Sequence, residues 1–419
     1  MNTICLPDHL TPLLMHLEPL LAAADHYQLG EPVHLAWSES AVVDMDVDGR
    51  RFSVAFDATQ PVNNEDGRYV YVVRDQWLAP YPTLAEIQQQ VAISSHLVVC
   101  GLPTDSGCVD VWHHDGEARA VYCHHTGGSD AQRAMLLAAL ALDYPLEDAV
   151  TLARAYARRY VFETDGDAGG TWPVDRRLFP RPLTANHAEV DALGWQYTEV
   201  AVAAFAPVDR SKLALYPVVD SAEWVEQLLT CGVMTTQLRI KDPLAPALSS
   251  QIARIVAAGS SHQAQVFVND YWQLAIDHGA YGVHLGQEDL TTADLAAIAA
   301  AGLRLGLSTH GYYEILRAAE FSPSYIALGH IFPTTTKTMP SKPQGLNRLA
   351  LYHKLIGDAF PTVAIGGIDL SRVEKVWRTG VSSVAVVRAI TQADDPALAV
   401  AAFQQVLVRE HKGVPDHAQ

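Results

Sequence analysis

Basic charge, cysteine and long apolar runs are all scarce in this chain. Its 29 Lys and Arg stand against 47 Asp and Glu, a formal net charge of −18 over 419 residues. That balance argues against a broad nucleic-acid or anionic-membrane surface, which needs clustered positive charge, while leaving room for a local basic pocket. No uninterrupted apolar run approaches the ~20 residues of a membrane-spanning helix. Residues 1–30 lack a basic n-region and carry Asp8, Glu18 and Asp25, so an amphipathic helix is expected there and not a signal peptide. Cysteine is limited to Cys5, Cys100, Cys108, Cys123 and Cys231, an odd and sparse set that fits reduced thiols and a cytoplasmic protein. Cys100, Cys108, His113, His114, Cys123, His124 and His125 crowd together and raise a metal hypothesis, but their spacings match no zinc pattern and they alternate with strand-like residues. The length favours two domains.

In the first half, strand-like runs at 33–37, 51–56 and 69–73 are separated by the turn signals Asn63-Asn64 and Asp66-Gly67. A helix over 84–91 leads to a strand at 96–100, and the runs 108–113 and 118–123 flank Asp115-Gly116 as a hairpin. Gly127-Gly128-Ser129-Asp130 then opens helical stretches at 131–141 and 145–160. Glycines and an Asp at a helix start either hold an anion beside a base or simply cap the helix. Residues 97–160 resemble the C-terminal part of the ribokinase-fold hydroxymethylpyrimidine (phosphate) kinases, with Asp130 where the catalytic base of their Gly-x-Gly-Asp motif would sit. Ser129 replaces the second motif glycine, and the glycine-rich substrate segment near the N-terminus is absent. The resemblance therefore implies a degenerate, inactive kinase-like domain over 1–163 with a partial ribokinase-like α/β (α+β) fold. Residues 164–205, rich in Gly and Pro at first, read as a linker ending in a helix over 187–204.

From 206 to 411 short apolar runs alternate eight times with helix-length segments, at 213–218, 235–240, 265–268, 281–285, 304–307, 325–328, 361–365 and 383–387. Eight β-α repeats in about 200 residues fit a (β/α)8 TIM barrel, with a doubly wound sheet as the alternative; 412–419 is a tail. In a barrel, chemistry belongs just after the strand C-termini. Strand 2 puts Gln237, Arg239 and Lys241 on alternate residues and so on one face. Strands 3 and 4 end in Asn269-Asp270 and Asp289, two carboxylates that suit Mg2+ or, read singly, cap helices. Strand 5 ends in Ser308 and His310, strand 6 runs into Thr334-Thr335-Thr336-Lys337, strand 7 into Gly366-Gly367, and strand 8 into Val387-Arg388. Singly, each has a structural explanation; together on one rim they describe a diphosphate site and a monophosphate site.

With QLRIKD, FVNDYWQLAIDHGAYGVHLGQEDL, GLSTH, YIALGHIFPTTTK, PQGL and VAIGGI in order, residues 212–405 resemble thiamine phosphate synthases. The resemblance implies a transferase that joins hydroxymethylpyrimidine diphosphate to thiazole phosphate and releases diphosphate, with small-molecule substrates as its partners. It further implies that Gln237, Arg239, Lys241, Asn269, Ser308 and Lys337 hold the pyrimidine diphosphate, in a segment that includes Leu238 and Ile240, with Arg239, Lys241 and Lys337 as catalytic cations. Asp270 and Asp289 would bind Mg2+, and Thr334, Thr335, Thr336, Gly367, Val387 and Arg388 would hold the thiazole phosphate; at position 388 the family pattern has Ser. The rivals are a bifunctional kinase-synthase, a thiazole tautomerase-like isomerase and a non-catalytic sensor or scaffold. The sequence leaves open whether the chain forms a homo-oligomer.

Overall fold

A computed structural model of the chain describes every residue except 58–68, 125–128, 163–171, 189, 198–200, 203, 246, 335–341 and 412–419. The chain divides into two compact units, Met1–Tyr197 and Thr198–Gln419. Among the described residues no helix is long and apolar enough to cross a membrane.

The first unit is a nine-stranded mixed sheet in the spatial order β2-β1-β3-β4-β5-β6-β7-β8-β9. Its strands are β1 (Asn2–Pro7), β2 (Val33–Ser38), β3 (Val43–Val47), β4 (Arg50–Phe56), β5 (Tyr69–Arg74), β6 (Leu97–Thr104), β7 (Gly107–His114), β8 (Glu117–Cys123) and β9 (Arg181–Pro182). Its main helices are α1 (Leu14–His26), α2 (Leu84–Ala92), α3 (Ser129–Ala141) and α4 (Leu146–Phe162). Helix α2 starts at a capping box, in which the Thr83 hydroxyl and the Glu86 carboxylate satisfy each other's backbone N–H groups. It buries Leu84, Ile87 and Val91 against Val99, Val109, Val111 and Tyr122 of the sheet.

Three expectations for this unit need correcting. The N-terminus does not begin as a helix: Asn2–Pro7 alternates buried and half-buried residues as a strand paired with β2 and β3, and the helix follows at Leu14. Strand β3 was not anticipated, although Val43, Met45 and Val47 are buried and alternate with Asp44 and Asp46 at strand period. The proposed linker is, from Trp172, part of the folded unit, because Trp172 and Phe179 are buried and β9 pairs with β8. Of the helix expected over 187–204, the described residues carry one turn, Val190–Leu193, ended by Gly194 at φ +71°.

The second unit is a closed barrel of eight parallel strands: β10 (Leu215–Val219), β11 (Thr235–Leu238), β12 (Gln265–Asn269), β13 (Gly282–Leu285), β14 (Arg304–Thr309), β15 (Tyr325–Gly329), β16 (Thr362–Ile365) and β17 (Ser383–Val386). β17 pairs with β10, which excludes the doubly wound alternative. All eight strands lie where the sequence repeats place them. Tyr216, Val218, Phe267, Tyr325, Ala327, Val363 and Ala385 form the barrel's packed core. The opposite parity of each strand faces the surrounding helices.

Candidate active site

The C-terminal ends of the strands open into one cleft of about 1220 Å3. Beyond β11 the chain still follows β10, since Arg239 N–H donates to the Val219 carbonyl at 2.7 Å. The alternation therefore continues, and Gln237, Arg239 and Lys241 all border the cleft. Leu238, of opposite parity, is buried outside the cleft wall, whereas Ile240 contributes to the wall and its carbonyl accepts from Tyr271 Oη at 2.9 Å.

Asn269 closes β12 and faces the cleft. Asp270 then turns the chain at φ +66°, a conformation Asp tolerates better than most residues, while its N–H donates to the His284 carbonyl. Asp270 borders the cleft. On the neighbouring strand, Asp289 lies in the 3-10 turn Glu288–Thr291, and its Oδ2 accepts from Gly286 N–H at 2.7 Å. Glu288 borders the cleft directly. Gln287 is committed to the scaffold: it is buried, donates to the Ser308 carbonyl at 2.8 Å and accepts from Arg317 at 3.1 Å. Asp270, just after β12, thus lines the cleft, whereas Asp289, in the turn that follows the adjacent β13, is not among its lining residues. Carboxylates are the ligand type Mg2+ takes, one or two at a time beside water or phosphate oxygens.

Ser308 and His310 follow one another on the cleft side of β14, and His310 is held by Glu314 through both its N–H and its ring. After β15 the chain pairs onto the next strand's end, with Ile331 N–H to the Ile365 carbonyl and Phe332 N–H to that of Gly366, both at 3.0 Å. This close approach dictates the two glycines. A Cβ on Gly366 would lie 2.7 Å from His330 Cα, and one on Gly367 would lie 2.6 Å from the Pro333 oxygen; both residues have positive φ. Arg372 braces the same turn, donating to the Gly367 carbonyl at 2.5 Å and lying 4.8 Å over the Phe332 ring. Thr334, Gly367, Val387 and Arg388 border the cleft. Thr335, Thr336 and Lys337 lie outside the described residues.

Several cleft residues escaped the sequence reading. His284, Glu288, His330 and Arg372 all border the cleft, and Tyr216 and Tyr325 lie among the side chains that fill the barrel interior. For His284 a signal existed: a polar residue at an inward position of the apolar strand GVHL. Burial pushes the hydroxyls of Tyr216 and Tyr325 well above the usual tyrosine range, so both stay protonated. Burial, helped by nearby His310, lowers His330 and favours its neutral form.

In the first unit, Asp130 lies in the first turn of α3, while Gly127 and Gly128 are outside the described residues. One turn further, Arg133 is ion-paired to both Asp57 and Asp75 at the ends of β4 and β5. Among the described residues no group of three or more His, Cys, Asp or Glu could hold a metal, so Cys100, Cys108, Cys123 and the described histidines near them form no such site.

A family model described as thiamine monophosphate synthase matches residues 215–390. The thiamine-phosphate synthase of Pectobacterium atrosepticum is 58% identical over 203 residues, 48% of this chain and 95% of that protein. That of Cronobacter sakazakii is 61% identical over 191 residues, 46% of this chain and 90% of that protein. A solved thiamine phosphate pyrophosphorylase from Pyrococcus furiosus is 29% identical, covers 48% of this chain and 98% of its own, and has a TM-score of 0.44.

Proposed function

The chain belongs, through its C-terminal half, to the thiamine-phosphate synthase family, and from that premise we propose that its barrel transfers the hydroxymethylpyrimidine group from its diphosphate to thiazole phosphate. The observation that carries the assignment of residues is their convergence: Gln237, Arg239, Lys241, Asn269, Asp270 and Ser308 border the same cleft as Gly367, Val387 and Arg388. Unrelated surface charges have no reason to gather on one rim.

In this reading Arg239 and Lys241 bind the diphosphate, Gln237 and Asn269 orient the pyrimidine end, and Ser308 donates a hydrogen bond to a diphosphate oxygen. Lys337, with the same role, is assigned from the sequence. The backbone at Gly367 and Val387, with Thr334, Thr335 and Thr336, holds the thiazole phosphate. Arg388, exposed at the cleft, adds a charge-assisted contact where the family pattern has Ser. Asp270 and Asp289 would hold Mg2+, which when bound neutralises charge on the diphosphate. The reaction breaks the bond between the pyrimidine methylene carbon and the diphosphate oxygen; the bonding pair leaves with diphosphate, and the thiazole nitrogen supplies the pair for the new C–N bond. Fixed cations and donors around the leaving group lower this barrier because they need no reorganisation as charge develops. A tautomerase would need no diphosphate site, so the cations at 239 and 241 favour transfer.

The first unit is assigned no catalytic role. Arg133, beside the α3 start, is already neutralised by two carboxylates, and Ser129 stands where a phosphate-cradling glycine is needed. Incubating the full chain with both substrates, with EDTA and then with Mg2+ restored, tests the whole reading. Thiamine phosphate should appear only with the metal; product formation unaffected by EDTA would remove Asp270 and Asp289 as metal ligands. Hydroxymethylpyrimidine phosphate and ATP offered instead should yield no diphosphate ester, and its formation would restore the bifunctional reading.

A further inference from the structure

Beneath the cleft, side chains from five strands form one continuous hydrogen-bonded row. Gln237 Nε2 donates to Tyr216 Oη at 3.2 Å, and the hydroxyls of Tyr216 and Tyr325 are 2.7 Å apart. Tyr325 Oη lies 2.8 Å from His284 Nδ1, and His284 Nε2 lies 2.8 Å from Ser308 Oγ. The strand register explains the reach. His284 is paired with Gly306, and Gly306 with Tyr325, across β13, β14 and β15. A Cβ at position 306 would overlap the Tyr325 ring, coming within 2.5 Å of Cε1. The missing side chain on the middle strand thus lets the tyrosine cross it and stack against the histidine, ring centroids 5.6 Å apart.

The row has a direction. Gln237, Tyr216 and Tyr325 are buried, and a buried hydroxyl proton without an acceptor costs about 1–3 kcal/mol. The Tyr216 oxygen accepts from the Gln237 amide, so its own proton goes to the Tyr325 oxygen. The Tyr325 proton then goes to His284 Nδ1. Nδ1 is therefore the acceptor, Nε2 carries the imidazole proton, and Nε2–H donates to Ser308 Oγ. Ser308, whose oxygen is engaged from behind, keeps its own proton for the cleft it borders.

We propose that Tyr216, Tyr325 and His284 are positioning residues that fix the proton order of this row, so that Ser308 presents its O–H to a phosphate oxygen of the departing diphosphate. The assignment of that oxygen rests on the proposed function; the proton order of the row does not. Two measurements therefore separate the claims. In the full chain labelled with 15N-histidine, at about pH 8 where an ordinary imidazole is neutral, the His284 resonances, identified by their loss in His284→Gln, should report protonated Nε2 and bare Nδ1. The opposite tautomer would reverse the row and overturn the proposal, whether or not the protein makes thiamine phosphate. Kinetics then test the consequence. Tyr325→Phe removes the proton given to Nδ1, and kcat should fall about tenfold while both KM values stay within about twofold, the pattern of a contact stronger in the transition state. Ser308→Ala with Tyr325→Phe should be no slower than Ser308→Ala alone. Full additivity of the two losses would show that Tyr325 does not act through Ser308. A wild-type chain that forms no thiamine phosphate would sink the functional reading and leave the tautomer result to decide the row.

Discussion

Replacing Gly306 by Ala is the sharpest perturbation of the barrel interior. The added methyl would overlap the Tyr325 ring, which is 1% exposed and has nowhere to retreat. Overpacking of a dense core costs about 1–3 kcal/mol. Moving the ring also strains the Tyr325 bonds to Tyr216 and His284, each worth about 1 kcal/mol net. The sum is about 3–5 kcal/mol of barrel stability, readable as a lower urea midpoint with unchanged m. A double-mutant cycle isolates the cause. In a Tyr325→Leu background the ring is gone and the methyl fills vacated space, so the same Gly306→Ala change should cost at least about 2 kcal/mol less. An equal cost in both backgrounds would refute the claim that Gly306 exists to let Tyr325 through.

Two further outcomes follow from the same geometry. Gly367→Ala puts a Cβ 2.6 Å from the Pro333 oxygen at φ +65°, and the KM for thiazole phosphate should rise about tenfold while that for pyrimidine diphosphate holds; equal rises would place the turn outside the thiazole site. In the first unit burial pushes Asp75 up to about 6, with Asp57 adding to the rise and Arg133 opposing it. A carboxyl whose folded pKa exceeds the unfolded value stabilises fully below about pH 4 and loses that contribution as pH rises through about 6. Unfolding of the full chain should therefore show the first unit less stable at pH 7.5 than at pH 5, by on the order of 1–2 kcal/mol. Asp75→Asn should flatten that dependence; an unchanged slope would assign it elsewhere.

The barrel was legible because each repeat carries its own punctuation: a short apolar run, a polar residue at its end, then a helix. The rim was legible for the same reason, since a barrel sends its strand ends to one side whatever the register. What depends on register was not. Nothing local marks Tyr325 as reaching His284, because the reach needs a glycine on the strand between them and three strands aligned to the residue. Arg372 reads as an ordinary helix-start charge until the Gly367 carbonyl and the Phe332 ring are found beside it. In the first unit, Asn2–Pro7 was lost inside a longer apolar stretch whose later part is truly helical, so one period masked the other. Residues 172–182 look like a linker by composition, yet Trp172 and Phe179 are buried and β8 supplies a partner for β9.

The proposed role of Asp270, Asp289, Arg239 and Lys241 is to drive departure of diphosphate. Its most direct test is the rate of thiamine phosphate and diphosphate release by the full chain and by its Asp270→Ala and Asp289→Ala variants at saturating Mg2+. Wild type should release the two products one for one, and each variant should be slower by at least about a hundredfold, as expected when transition-state charge stabilisation is lost. Near-normal rates in either variant would contradict it.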